Sequence, residues 1–242
     1  MADVLPDPHT LLDETEWSRL QHSHGPAAPE TQAKLAGLVS GDAHAASIAL
    51  DHLWDCLFHQ GSLYSATPAA ALYVAAVLRE VRSREALNAT QRTELLEWLA
   101  EVAYHIGVSR ERELEAQFGP DVMDQNPLFS EMRGARPALF QGVYPCISDP
   151  DLKVAEAALL AAVHLLHAPE LASYREVIAP KVRSVLAVSS WQGHRAAAIS
   201  GLAAWGEDVG SLKGSTEPEN EADDAWSEFW GADRGSIDEP PF

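Results

Sequence analysis

The sequence predicts an all-α protein, a right-handed α-solenoid of stacked antiparallel helix pairs. Three observations carry this. Apolar residues recur at helical spacing from one end of the chain to about residue 206, and no stretch shows the alternation of a strand. Helix starts marked by an acidic, amide or hydroxyl cap with proline alternate with short loops. Paired segments also recur, with Asp42, Ala46, Ala49 and Leu50 matching Asp151, Ala155, Ala158 and Leu159 at a constant offset of 109.

The organising stretch runs from Asp42 to Arg82. Ala46, Ala49, Leu50, Leu53, Trp54, Leu57 and Phe58 share one face of a helix predicted to extend to His59. Asp42 is placed to cap it. Gly61 stops it, and Thr67-Pro68 opens the next helix, with the threonine expected as cap. That second helix carries Leu72, Val74, Ala75, Val77, Leu78 and Val81. Neither helix covers its apolar face alone, so the two must pack as a hairpin and stack on neighbours.

Upstream, residues 1–29 form a mixed N-terminal segment with a short helix around Leu11 to Leu20 and a Gly-Pro turn at 25–26. A short helix follows over Glu30 to Val39. Downstream, Ser83 to Asn88 is a polar break. A strongly amphipathic helix then runs from Thr90 through Leu95, Leu96, Leu99, Val102, Ala103 and Ile106. Residues 108–125 read as the longest irregular insertion. Asn126-Pro127 starts a further helix, Arg136-Pro137 restarts one, and Asp149-Pro150 starts the next. Tyr174 to Val188 is a helix bent at Pro180, and Trp191 to Trp205 is the last clear one. The repeat domain is thus 30–206. The tail, 207–242, turns acidic and polar and is expected to be mostly disordered, with Trp226, Phe229 and Trp230 as a docking cap or a partner-binding segment.

Net charge is −19, and nearly half of it falls from Glu207 onward. Such a balance repels nucleic-acid phosphates and suits a basic protein partner. A helical-repeat DNA glycosylase would need a basic concave face, which this charge opposes. Cys56 and Cys146 read as two buried free thiols in a reducing compartment. With no signal-peptide pattern and no membrane-length apolar run, the expectation is a cytoplasmic protein, as a monomer, with no membrane contact.

No catalytic signature is present: no phosphate loop, no nucleophile elbow, no His-Glu-x-x-His. The chain is therefore read as non-enzymatic, with no cofactor and no assigned metal. His22-x-His24 has a spacing that can hold a metal, yet no cysteine or carboxylate adjoins it in sequence, so it reads as a surface turn. On a continuous helix His52, Asp55 and His59 would project from neighbouring turns and could bind a metal or shuttle a proton. The plainer reading is a polar face, with His59 bonding backbone groups freed at the helix end. Trp191-Gln-Gly-His-Arg195 joins the residue types enriched at binding hot spots, or is a helix start with Trp191 packed on the preceding helix.

The phrases Ser40-Gly-Asp42, Ala49-Leu-Asp-His-Leu-Trp54, Phe58-His-Gln-Gly-Ser-Leu-Tyr-Ser-Ala-Thr-Pro68 and Trp17-Ser-Arg-Leu-Gln-His-Ser-His-Gly-Pro-Ala27 carry a resemblance. Asp149-Pro-Asp-Leu-Lys-Val-Ala-Glu-Ala-Ala158 adds to it. The chain resembles actinobacterial HEAT-repeat-like proteins over roughly residues 17–206. That resemblance implies an α-solenoid that binds proteins and implies no reaction. An immunity or inhibitor protein neutralising a basic toxin is the sharpest form of the expectation. Asp51, Asp55, His59 and Tyr64 on the first hairpin, and Trp191, His194 and Arg195 on the last helix, are the candidate contacts. A regulatory adaptor using the acidic tail is the alternative, and a metal-dependent enzyme on the His52, Asp55 and His59 face is a second.

Overall fold

A computed structural model describes residues 5–213. The fold is all-α. Twelve α-helices lie among the described residues, and the only strands there are two two-residue hairpins. The helices are α1 (Pro8–Glu14), α2 (Glu30–Leu35), α3 (Ala43–His52), α4 (Thr67–Arg79), α5 (Val81–Ala86), α6 (Ala89–His105), α7 (Val108–Phe118), α8 (Pro127–Val143), α9 (Leu152–Leu165), α10 (Arg175–Ser184), α11 (Gln192–Ala204) and α12 (Gly210–Lys213). The strands are β1 (Gln21–His22), β2 (Gly25–Pro26), β3 (Phe58–His59) and β4 (Ser62–Leu63), paired antiparallel as β1–β2 and β3–β4.

Two rows of helices share one apolar core. In the first, α3 packs on α6, α6 on α9 and α9 on α11. In the second, α1 packs on α4 and α4 on α8. Helices α4 and α9 rest on the core with nearly every apolar side chain buried, from Ala70 to Leu78 and from Val154 to Leu165, and α8 adds Phe129, Met132, Leu139, Phe140 and Val143. The alanine-rich faces allow close approach. At Gly142 of α8 even a methyl group would run into the Ala75 backbone of α4, so glycine is what lets these helices touch.

The offset-109 match is a structural equivalence. Asp42 Oδ1 accepts from the amides of His44 and Ala45, and Asp151 Oδ1 accepts from those of Lys153 and Val154. Both caps open helices of the first row.

Several boundaries differ from expectation. Helix α3 ends at His52, followed by a π-turn over Leu53–Leu57 and then by strand. Thr67 is no cap: it is the first residue of α4, and its hydroxyl ties the preceding loop instead. Asp149 does not cap α9; it accepts from Arg92 and from the Asp151 amide, and Asp151 caps. Helix α8 runs through Arg136-Pro137 without restarting. The supposed polar break holds α5, capped by Glu80, and the supposed irregular insertion holds α7, which buries Leu114. Past the expected boundary at 207, Glu207 pairs with Arg183 at 2.9 Å and Val209 is buried. The aromatic segment with Trp226, Phe229 and Trp230 lies outside the described residues. Of the two cysteines, Cys146 is buried but Cys56 is only half-buried.

Candidate functional site

Two places concentrate polar side chains, and both begin at the end of α3. There the π-turn leaves helix carbonyls without their usual partners. Four of them are met by groups outside the turn. Leu53 O accepts from the Phe58 amide and from Trp98 Nε1, the latter at 3.0 Å. Asp55 O accepts from Ser23 Oγ and Cys56 O from the Ser23 amide, both at 3.0 Å. Leu57 O accepts from Thr67 Oγ1 at 2.6 Å. Ser23, Thr67 and Trp98 thus fill the role expected of His59.

These bonds lay the tip of the β1–β2 hairpin on the π-turn. The β3–β4 hairpin stands beside it, tied by Ala66 N to Gln21 O at 3.0 Å and Gln21 N to Ser65 Oγ at 2.8 Å. Its turn places Gln60 at φ 50° and Gly61 at φ 75°, the left-handed pair that a two-residue hairpin needs. Gly61 also leaves room for the His105 ring.

The hairpins gather four histidines and a cysteine. His22 is buried, His24 is exposed in the turn, and His24 Nδ1 lies 3.6 Å from Cys56 Sγ. The ring of His52 meets His22 edge-on at 5.4 Å, and that of His59 lies 6.2 Å from His24. His52 is buried, its Nε2 2.8 Å from Thr31 Oγ1 and its Nδ1 without a partner. Burial, with the charges of Lys34 and His22, pushes its pKa down to about 4. Burial raises the Cys56 thiol. The expected helical trio does not assemble as such: His52 points into the core, Asp55 is exposed, and His59 lies beyond the helix on β3. The neighbour that sequence reasoning missed is Cys56, which reaches His24 only because the hairpin folds back across 32 residues.

The second place is a row of carboxylates across the first row of helices. Asp51 is exposed on α3, and its charge adds to burial in raising the pKa of Glu94 on α6. Glu97 is raised by burial, then by Glu94 and by Glu156 of α9, against Lys153. Glu101, one turn on, is pushed up to about 7 by burial. Neither Glu94 nor Glu97 is ion-paired among the described residues. Glu156 ends the row against His194 of α11. The signal for α6 was legible in its spacing, since Glu94, Glu97 and Glu101 share one helix face.

Of the other candidate contacts, Tyr64 precedes α4 and the rest lie at the start of α11. Tyr64, half-buried beyond β4, has its amide bonded to Thr67 Oγ1 at 2.8 Å. Trp191 precedes α11 and is 59% exposed, not packed away on the preceding helix; its ring stacks with His194 at 6.2 Å. Arg195 donates to Ser189 O at 2.6 Å. The structure therefore brings Trp191, His194 and Arg195 together, and it separates them from Asp51 by α6 and α9.

No family model, no curated protein and no solved structure matches the chain. Among the described residues no helix is long and apolar enough to cross a membrane.

Proposed function

We propose that the chain is a protein-binding helical scaffold, a right-handed stack of antiparallel helix pairs of the HEAT-like kind, whose α3–α6–α9–α11 surface takes a basic protein partner. The observation that carries this reading is the row Asp51, Glu94, Glu97 and Glu156. Burial and the charge of Asp51 raise the pKa of Glu94, burial and the charges of Glu94 and Glu156 raise that of Glu97, and neither Glu94 nor Glu97 has an ion-pair partner among the described residues. Lysines or arginines of a partner would remove that repulsion, and the net charge of −19 would speed the encounter. The exposed Trp191, beside His194 and Arg195, supplies an aromatic anchor at one end. In its sharper form the protein is a cytoplasmic, monomeric inhibitor that neutralises a basic toxin such as a nuclease.

A second reading makes it an adaptor whose tail is the ligand. The observation favouring it is the set Trp226, Phe229 and Trp230 on an acidic background. Truncation after Lys213, which keeps the docked Glu207 and Val209, separates the two. A partner captured by the full chain at low salt should still be captured by the truncated one; loss on truncation would favour the adaptor.

A further inference from the structure

We propose that His22, His24 and Cys56 form a binding site for one zinc-class transition-metal ion, which clamps the β1–β2 hairpin onto the π-turn that ends α3. The ligand atoms of the three side chains all lie within 4.8 Å of one another. The set is one that zinc favours, two imidazoles and a thiol, with the fourth tetrahedral position open to water or to His59. The fit is metrical. With Zn–S of about 2.3 Å and Zn–N of about 2.0–2.1 Å, tetrahedral geometry puts sulfur and nitrogen about 3.5–3.6 Å apart. His24 Nδ1 and Cys56 Sγ stand 3.6 Å apart.

The surroundings hold these groups in place. Ser23, between the two histidines, anchors the turn to Asp55 O and Cys56 O, and its hydroxyl lies 2.8 Å from His24 Nδ1. The His24 amide donates to His22 Nδ1 at 3.1 Å, so the His22 lone pair already faces the turn that carries His24. An ion taking that lone pair replaces one hydrogen bond. Behind His22, His52 braces the ring edge-on and keeps a buried, unpartnered Nδ1. Glu30 and Asp55 add negative charge nearby, and the one close ammonium, Lys34, is paired with Glu30 at 2.5 Å. The Cys56 proton leaves to solvent as the ion binds, giving a thiolate–metal bond. π-turns are frequent at functional sites, and this one aims Cys56 outward at the hairpin.

The test is cobalt substitution in the full chain. The reduced, chelator-treated protein is titrated with Co²⁺. One equivalent should produce the near-ultraviolet thiolate-to-cobalt band, with tetrahedral visible bands that Zn²⁺ then displaces. The band should vanish in Cys56→Ser, survive in Cys146→Ser, and need roughly tenfold more metal or worse in His24→Ala, whose residue is exposed. In the parent protein, where no variant must fold, Zn²⁺ should slow alkylation of Cys56 at least severalfold. Absence of a thiolate band, its persistence in Cys56→Ser, or unchanged alkylation would overturn the site.

Discussion

His194 Nδ1 sits 2.7 Å from Glu156 Oε1, joining the start of α11 to the middle of α9. Both side chains are mostly covered, 16% and 22% exposed, so the pair sits at the top of the surface range, about 1 kcal/mol. It is also where the carboxylate row meets the Trp191 cluster. A double-mutant cycle with Glu156→Gln and His194→Ala, read by chemical denaturation at low salt, should give a coupling of about that size. It should shrink as salt rises.

Helix α8 carries its own control for the packing claim. Gly142 faces the Ala75 backbone, whereas an added methyl at Gly134 meets nothing within 4 Å. Gly142→Ala should destabilise by about 2–3 kcal/mol through forced separation of α4 and α8. Gly134→Ala, in an exposed helix interior, should stabilise by up to about 1 kcal/mol. Equal effects at both positions in denaturant melts would contradict the close crossing.

Thr67 tests the accounting of freed carbonyls. Its hydroxyl donates to Leu57 O and accepts from the Tyr64 amide, and it is fully buried. Thr67→Val keeps the shape and orphans both groups, so a loss of about 2–3 kcal/mol is expected. Thr67→Ser should recover most of it.

The end of α6 sets two opposed pH dependences side by side. Burial pushes His105 down to about 4, with Arg110 acting the same way and Glu113 and the Glu101 carbonyl against. Phe58 and Tyr104 meet its ring in T-shaped contacts, with centroids 4.9 and 5.2 Å away. Between about pH 4 and 6.5 the native state binds fewer protons here than the unfolded chain, so this contribution is lost as pH falls. Glu101 is the reverse: pushed up to about 7, it keeps its proton in the native state and loses stability as pH rises from 4.5 through 7. Relative to the parent, His105→Gln should therefore be less sensitive to acid, and Glu101→Gln should gain stability above pH 7. Each effect is bounded by roughly 3 kcal/mol. Denaturation midpoints at pH 5, 6.5 and 8 check both.

Much of the helical order was legible because caps and apolar spacing are local. Asp42 was legible as a cap and the faces of α6 and α9 by their periodicity, whereas the sequence points to Asp149, two residues before Asp151, as the cap of α9. What escaped was set by distance. The two-residue hairpins have too little alternation to register, and Thr67 looks like a cap until Leu57 is seen across the loop. Helices α5 and α7 are short and charged, with little apolar face to give them away; α7 buries only Leu114. The neighbourhood of His24 and Cys56 depends on a fold-back that no spacing encodes. Glu94, Glu97 and Glu101 were visible as a helix face, but their approach to Asp51 and Glu156 required the order of the row.

The most direct measurement is capture of partners from a lysate of the native cell, using the parent and the triple variant Glu94→Gln, Glu97→Gln, Glu156→Gln, at low and moderate salt. One dominant basic protein is expected on the parent, weakened as salt rises and lost on the triple variant, whose helices should remain folded by circular dichroism. The same partner retained by the triple variant, or binding indifferent to salt, would contradict the proposal that the carboxylate row is the binding surface.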